Sequence, residues 1–329
     1  MEVGALLWYI LKRLLYMIPV LFCVIIIVFT LMYITPGDPA RSILGDSATQ
    51  ESIDSLRISL GLDDPYAAQL GRYLNNLVLH GQMGTSYKSN QPVIVEILAR
   101  YPSTLKLAGY CLIYSLIVGV GIGVISAVKQ NTWIDKTCVV ISLSGVSAPA
   151  FWVGMLLILV FSVFLRWLPP SGSYTILHWI MPVLTLGGQT AAYIMRITRS
   201  SMLEVIRQDY IRTARSKGQS EFKTVIFHAL RNALIPIITI AGNQVCVILA
   251  GATVTETIFA LPGVGKLLVD SMNFKDYAMV QGVVLWIGFN CIVINLIVDF
   301  IYILVDPNVK TSLVKKRAKR IQEEASINV

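Results

Sequence analysis

The sequence predicts an all-α integral membrane protein of about six transmembrane helices, with a small, partly helical external subdomain and a charged loop on the cytoplasmic side. Three observations predict it. The 329 residues are 55% hydrophobic and only 14% charged, with a mean hydropathy of +0.67; a soluble chain of that composition would aggregate. The apolar residues gather into long charge-free runs, and at about 1.5 Å rise per residue some 20 residues cross a hydrocarbon core about 30 Å thick. The Lys and Arg residues behind the net charge of +8 sit in the connections and the tail. That is the pattern of orientation in a bilayer, and it excludes a nucleic-acid reading of the charge.

The first span is residues 14–34, 21 residues without a charge behind Lys12 and Arg13. The run is too long for the apolar part of a signal peptide, and no small-residue cleavage site follows, so residues 1–35 are expected to be retained. Pro36, Gly37 and Pro39 break the helix. Residues 36–102 form the one sizeable polar insert, with five basic residues against seven acidic ones. Helical patterns over 52–60 and 66–79 and an apolar run over 93–98 predict a small, partly helical external subdomain.

Residues 103–306 carry the remaining spans. The second is 107–128, where Ser115, Gly119, Gly123 and Ala127 recur every four residues and allow close helix approach. The third, 138–165, is 28 charge-free residues with an expected kink at Pro149. The turn from Trp167 to Gly172 lies at the outer interface. The fourth span is 177–195, the fifth 233–255 and the sixth 278–298; residues 307–329 form a basic tail that includes the run from Lys315 to Arg320. Five cysteines, all in apolar runs without CxxC spacing, predict neither a disulfide framework nor a metal knuckle, and three scattered histidines predict no metal site.

Placing both termini inside puts 18 Lys and Arg residues on the cytoplasmic side and 8 outside, with Lys106 at a span edge. The run 196–232, richest in basic residues, is therefore cytoplasmic. Leu203, Ile206, Tyr210 and Ala214 fall at helical spacing, predicting an amphipathic helix that Gly218 ends. Ser220 can cap a second helix with an apolar face of Phe222, Val225, Ile226, Ala229 and Leu230. Two such helices joined at a glycine make a surface that another protein can grip.

Asp209, Ala214 five positions on, Gly218 nine on, and Ile235-Pro236 downstream resemble the EAA loop of the permease subunits of ABC importers. Asp209 stands where that family has glutamate, which is usual in its peptide and nickel branch. The same branch is resembled by Leu60-Gly61-Leu62-Asp63, Gly81 to Gly84, Pro92-Val93, Thr198 to Leu203, His228 to Pro236, Glu256 to Phe259 with Pro262-Gly263, Lys275-Asp276-Tyr277 and Asp306-Pro307. Lys275, Ala278 and Asn308 depart from it, where arginine, proline and arginine are usual. The resemblance implies a bacterial plasma (inner) membrane protein that is not itself an enzyme. It also implies a second homologous permease subunit, two cytoplasmic ATPase subunits that use ATP and Mg, and an external substrate-binding protein. This chain would bind no cofactor. The loop would be the coupling helix that docks on the ATPase, through Asp209, Tyr210, Arg212, Ala214, Arg215 and Gly218. The cargo would be a dipeptide, an oligopeptide, nickel or a metal chelate.

The residues themselves agree with that division of labour. Pro262 to Lys266 suggests a nucleotide loop, but a P-loop requires glycine at 260 and Ser or Thr at 267, where the chain has Ala260 and Leu267. Asn243, Gln244, Asn290 and Asn295 are polar within spans and either line a pathway or make interhelical hydrogen bonds. Asp299 is expected to pair with a basic loop residue. An ion-coupled secondary transporter would place charges at mid-membrane, and none is central here. A membrane enzyme would carry HExxH, GxSxG or paired aspartates, and the chain has none of them.

Overall fold

The computed structural model describes residues 2–45 and 47–305. Asp306-Pro307, Asn308 and the basic run from Lys315 to Arg320 lie outside the described residues, as do the side chains of Lys12, Arg13 and Asp299. The described chain is helical throughout, with a single antiparallel bridge between Thr85 and Pro92. Helix α1, Glu2–Ile34, leads to three short helices, α2 Pro39–Leu44, α3 Gln50–Leu60 and α4 Tyr66–His80. Then follow α5 Val93–Val128, α6 Trp133–Ser147, α7 Ala150–Leu157, α8 Leu177–Ile206, α9 Asp209–Ser216, α10 Glu221–Lys223, α11 Arg231–Ile258, α12 Val264–Asn273 and α13 Tyr277–Val305.

Among the described residues, four helices are long and apolar enough to cross a membrane: Leu15–Ile34, Val93–Val128, Glu221–Ile258 and Tyr277–Val298. The predicted third span is not one kinked helix. Trp133–Ser147 and Ala150–Phe164 meet at 103°, a broken span or a re-entrant pair. Pro149 is the cause: it has no N–H to continue the ladder, and it drives Ala148 out of the helical region, to ψ 128. The predicted fourth span lies in α8, which carries Gln189 and the buried Thr185 and Thr190. This helix packs against α5, α6, α7 and α11, so its polar side chains meet protein and not lipid.

The second span also starts earlier than predicted. Helix α5 begins at Val93 and runs through Pro102, so residue 102 falls inside a helix. Val93 and Ile97 are fully buried with Val264, Leu267, Met279 and Val283, and this burial outweighs the proline's cost to the helix. The 259–281 connection likewise contains α12, a helix packed against α5, α11 and α13.

The predicted small-residue stripe is the main seam. A Cβ on Gly119 would stand 2.7 Å from the Ala191 carbonyl oxygen, and one on Gly123 2.6 Å from Thr198 Cβ and 2.8 Å from the Met195 oxygen. Ser115 completes the seam, donating its hydroxyl hydrogen bond to the Cys111 (2.6 Å) and Gly187 (2.8 Å) carbonyls.

A buried carboxylate secures the opposite end of the bundle from α9. Glu256, fully buried on α11, accepts hydrogen bonds from the Thr104 hydroxyl (2.7 Å) and the Lys266 amide (3.0 Å), while Thr104 accepts from the Val264 amide (2.9 Å). One side chain thus caps α12 and ties it to α5 and α11. Glu256→Ala leaves the Thr104 hydroxyl and the Lys266 amide without their acceptor, at about 1–3 kcal/mol for each group left unsatisfied. The detergent-solubilised variant is expected to unfold at lower temperature than the wild type, with Glu256→Gln in between; an unchanged midpoint for the alanine variant would remove the cap from the argument.

Candidate functional site

The elbow between α8 and α11 is built by two breaks in helix. Helix α8 stops at Ile206, and Gln208 takes an extended conformation (φ −71, ψ 150) before α9 begins. The single amphipathic helix predicted from Leu203 to Ala214 is therefore two, broken at the extended Gln208, which turns α9 so that Ile211 is buried against the bundle. Ile211 is the anchor. It is fully buried among Met202, Val225, Ala229 and Ala233, whereas Tyr210, on the predicted apolar face, is exposed. The Tyr210 hydroxyl instead accepts a hydrogen bond from Asn232 Nδ2 (3.0 Å), which also reaches the His228 carbonyl (2.9 Å).

Gly218 ends the elbow at φ +77, the left-handed region that glycine enters without strain. A Cβ there would meet nothing within 4 Å, so within this chain the backbone sign, and not crowding, requires the glycine. Ser220 then accepts from the Lys223 amide (3.5 Å), as predicted for a cap. The second helix is a three-residue turn that passes through a π-helical stretch, Thr224–Leu230, directly into α11. Val225 and Ala229 are buried as predicted, while Phe222 is exposed.

The two arginines of the loop differ. Arg215 binds Glu221 through two hydrogen bonds across the Gly218 turn, Nε to Oε1 at 2.8 Å and Nη2 to Oε2 at 3.2 Å. Its charge is used within the chain. The Arg212 side chain is 74% exposed and stands 3.9 Å from an Asp209 carboxylate that is 98% exposed. A pair so exposed is worth well under about 1 kcal/mol, so both groups are available to a partner.

The polar residues of the spans do not act as one group. Asn290 is buried and spent on an interhelical contact: it accepts from the Tyr101 hydroxyl and donates to the Trp286 carbonyl (2.7 Å). Asn295 is exposed, with Cys246 Sγ 3.9 Å from its oxygen. Asn243 is exposed and Gln244 half-buried on α11. The Pro262 to Lys266 segment is the start of α12: a Cβ on Gly265 would lie 2.4 Å from Thr253 Cα, and Lys266 Nζ binds Asp270 at 2.9 Å, which leaves no cradle for a phosphate.

A charged pair that sequence reading passed over stands just above the elbow. Asp135, buried at the start of α6, receives Arg199 Nε (2.7 Å) and Nη2 (2.8 Å), the Asn131 amide (3.0 Å) and the Ser126 hydroxyl. It joins the α5–α6 turn to α8, ten residues before Asp209. The signal was available: an acid at the edge of an apolar run demands a partner.

Residues 6–108 match the N-terminal family of binding-protein-dependent transport system membrane components, and residues 119–311 match the family described as binding-protein-dependent transport system inner membrane component. Over 302 residues the chain is 44% identical to the glutathione transport system permease protein GsiC of Escherichia coli K12, covering 92% of this chain and 98% of that protein. Its counterpart in Salmonella paratyphi A is matched to the same extent. Among solved structures, an inward-facing methionine ABC transporter, MetNI, matches with a TM-score of 0.56 at 18% identity, over 64% of this chain and 96% of the other, which supports the fold. Proteins of this family are transport components rather than enzymes. The matched segments together take in both the external subdomain and the helical bundle with its elbow, and on them the chain belongs to the inner-membrane permease subunits of bacterial ABC importers, in the dipeptide, oligopeptide and nickel branch.

Proposed function

We propose that this chain forms half of a translocation pathway for short peptides and is moved by separate ATPase subunits that grip α9. The observation that carries the proposal is the elbow: an eight-residue helix with Asp209 and Arg212 exposed at its surface, held on the bundle by the buried Ile211 and by the Tyr210 to Asn232 hydrogen bond. Such a helix can take up a push at its exposed face and pass it to α8 on one side and α11 on the other. Arg199 and Asp135 then carry the displacement from α8 into the α5–α6 turn. In this reading a second homologous permease supplies the other half, an external binding protein delivers the cargo, and both termini lie in the cytoplasm. Peptide cargo is supported by the glutathione relatives and by the branch to which the chain belongs. Asn243, Gln244 and the exposed Asn295 remain the candidates to face cargo, since Asn290 is committed to Tyr101.

Vesicles holding this chain, its partner permease and both ATPases are expected to accumulate peptide only with ATP inside and binding protein outside. Accumulation by this chain alone would overturn the proposal, and a binding protein that carries nickel or a metal chelate would replace the peptide. In the same vesicles, Gly218→Trp is expected to remain membrane-inserted while uptake falls at least about tenfold and ATP hydrolysis no longer responds to the binding protein. The left-handed strain it adds, about 1–2 kcal/mol, is too small to unfold the protein. Arg212→Glu, by reversing a free surface charge, is expected to weaken ATPase association with no change in thermal midpoint. Asp135→Asn loses the charge of a buried pair, so it is expected to lower both stability and coupling; removing one buried partner costs about 3–5 kcal/mol.

A further inference from the structure

On the face opposite the elbow, the end of α1, the 35–39 turn, helices α3 and α4, the 83–87 segment and the start of α13 line an open cavity of about 620 Å³. This lies within the range of small-ligand sites, about 300–1,000 Å³. Its walls are fixed by contacts among the elements that form it. Thr30 and Tyr66 share a hydrogen bond between hydroxyls (2.7 Å), the Phe29 ring packs on Tyr66 and Tyr73, and the buried Asp276 accepts from the Ser86 hydroxyl (2.6 Å) and the Met279 amide (3.1 Å). The subdomain is thereby held on the first turn of α13.

The lining has both signs of charge and unused polar groups. Arg57 donates to Asp63 (Nε 3.1 Å, Nη2 2.6 Å) and to Asp38 (Nη1 3.2 Å), and Arg72 pairs with Asp64 while its Nε–H has no partner among the described residues. Asn76 and Gln281 line the cavity, and their side chains make no hydrogen bond within the described chain. The hydroxyl of Tyr277 is buried there without a partner, although an unsatisfied buried hydroxyl costs about 1–3 kcal/mol. It lies over Gly37, where a Cβ would stand 2.6 Å from it. Burial pushes the Tyr73 and Tyr87 phenols, also in the lining, up to about 12.

We propose that this cavity binds a short zwitterionic peptide of two or three residues. Asp38 would face the ammonium end, Arg57 and Arg72 the carboxylate, and Asn76, Gln281 and Tyr277 the peptide groups between. An acyl chain would leave the Tyr277 hydroxyl and the Asn76 and Gln281 amides without partners. A bare metal ion would find no suitable ligand set, since among the described residues no cluster of three or more His, Cys, Asp or Glu side chains could hold one. The assignment rests on the peptide-transport reading and adds to it a binding step on the permease itself, after release from the binding protein.

The test uses the full chain co-purified with its partner subunits in nanodiscs without binding protein, and tritiated trialanine in equilibrium dialysis. Wild type is expected to bind with a dissociation constant of about 1 mM or tighter. Tyr277→Phe, which keeps the ring, is expected to weaken binding about 3- to 10-fold, the loss of one hydrogen bond. Asn76→Trp, an exposed substitution that fills the cavity, is expected to abolish it. N-acetyl-trialanine amide, without terminal charges, is expected to bind at least about tenfold more weakly. No binding up to about 10 mM, or binding unchanged by Tyr277→Phe, overturns the assignment. Peptide uptake by the complete transporter separates the two readings: uptake without cavity binding removes the cavity site alone, whereas cavity binding without uptake keeps the site and removes peptide as the cargo.

Discussion

Close approach of α5 to α8 through Gly119 and Gly123 is the constraint on which the rest of this structure depends. Lipid tails are as apolar as leucine, so helices in a bilayer do not associate by hiding from solvent; they associate where backbones touch and polar groups are paired. The small-residue stripe lets the α8 carbonyls of Ala191 and Met195 come within contact of α5, and Ser115 adds a hydrogen bond to Gly187. With that seam in place α8 is enclosed, so it can carry Thr185, Thr190 and Gln189 at depths where a lipid-facing helix could not.

Each end of the seam is closed by a buried carboxylate with several donors. Asp135 ties the α5–α6 turn to Arg199 near the elbow, and Glu256 ties α5 and α11 to α12 at the far side. These side chains are expensive to bury singly and tolerable when every lone pair is met. The bundle is thereby cross-linked near both of its ends. The elbow itself is held lightly, by Ile211 and the Tyr210 to Asn232 contact.

Most of the frame was legible from residue order. Spans over 14–34, 107–128, 233–255 and 278–298 lie within long helices, the stripe packs as predicted, and Gly218 and Ser220 take the turn and cap positions assigned to them. The failures have physical causes. Pro149 was read as a kink because proline's local effect is known, but the angle of 103° depends on what the two halves pack against. Pro102 was read as a boundary because nothing local shows that Val93 and Ile97 bury against α12 and α13. Arg215 looked as free as Arg212, since whether an arginine meets Glu221 depends on the direction of a turn six residues long.

The sequence by itself determined the membrane class, the placement of charge and the family, because hydrophobic length, basic-residue bias and short motifs are local properties that need no third dimension. Only the tertiary structure decided which polar groups are committed. Asn290 and Asn243 are the same residue type in equally apolar surroundings, yet one is bound to Tyr101 and the other is exposed. The partners of Asp135, Glu256 and Asp276 lie 64, 152 and 190 positions away along the chain. Pairing over such distances is set by how helices cross, and helix crossing is a property of the packed whole.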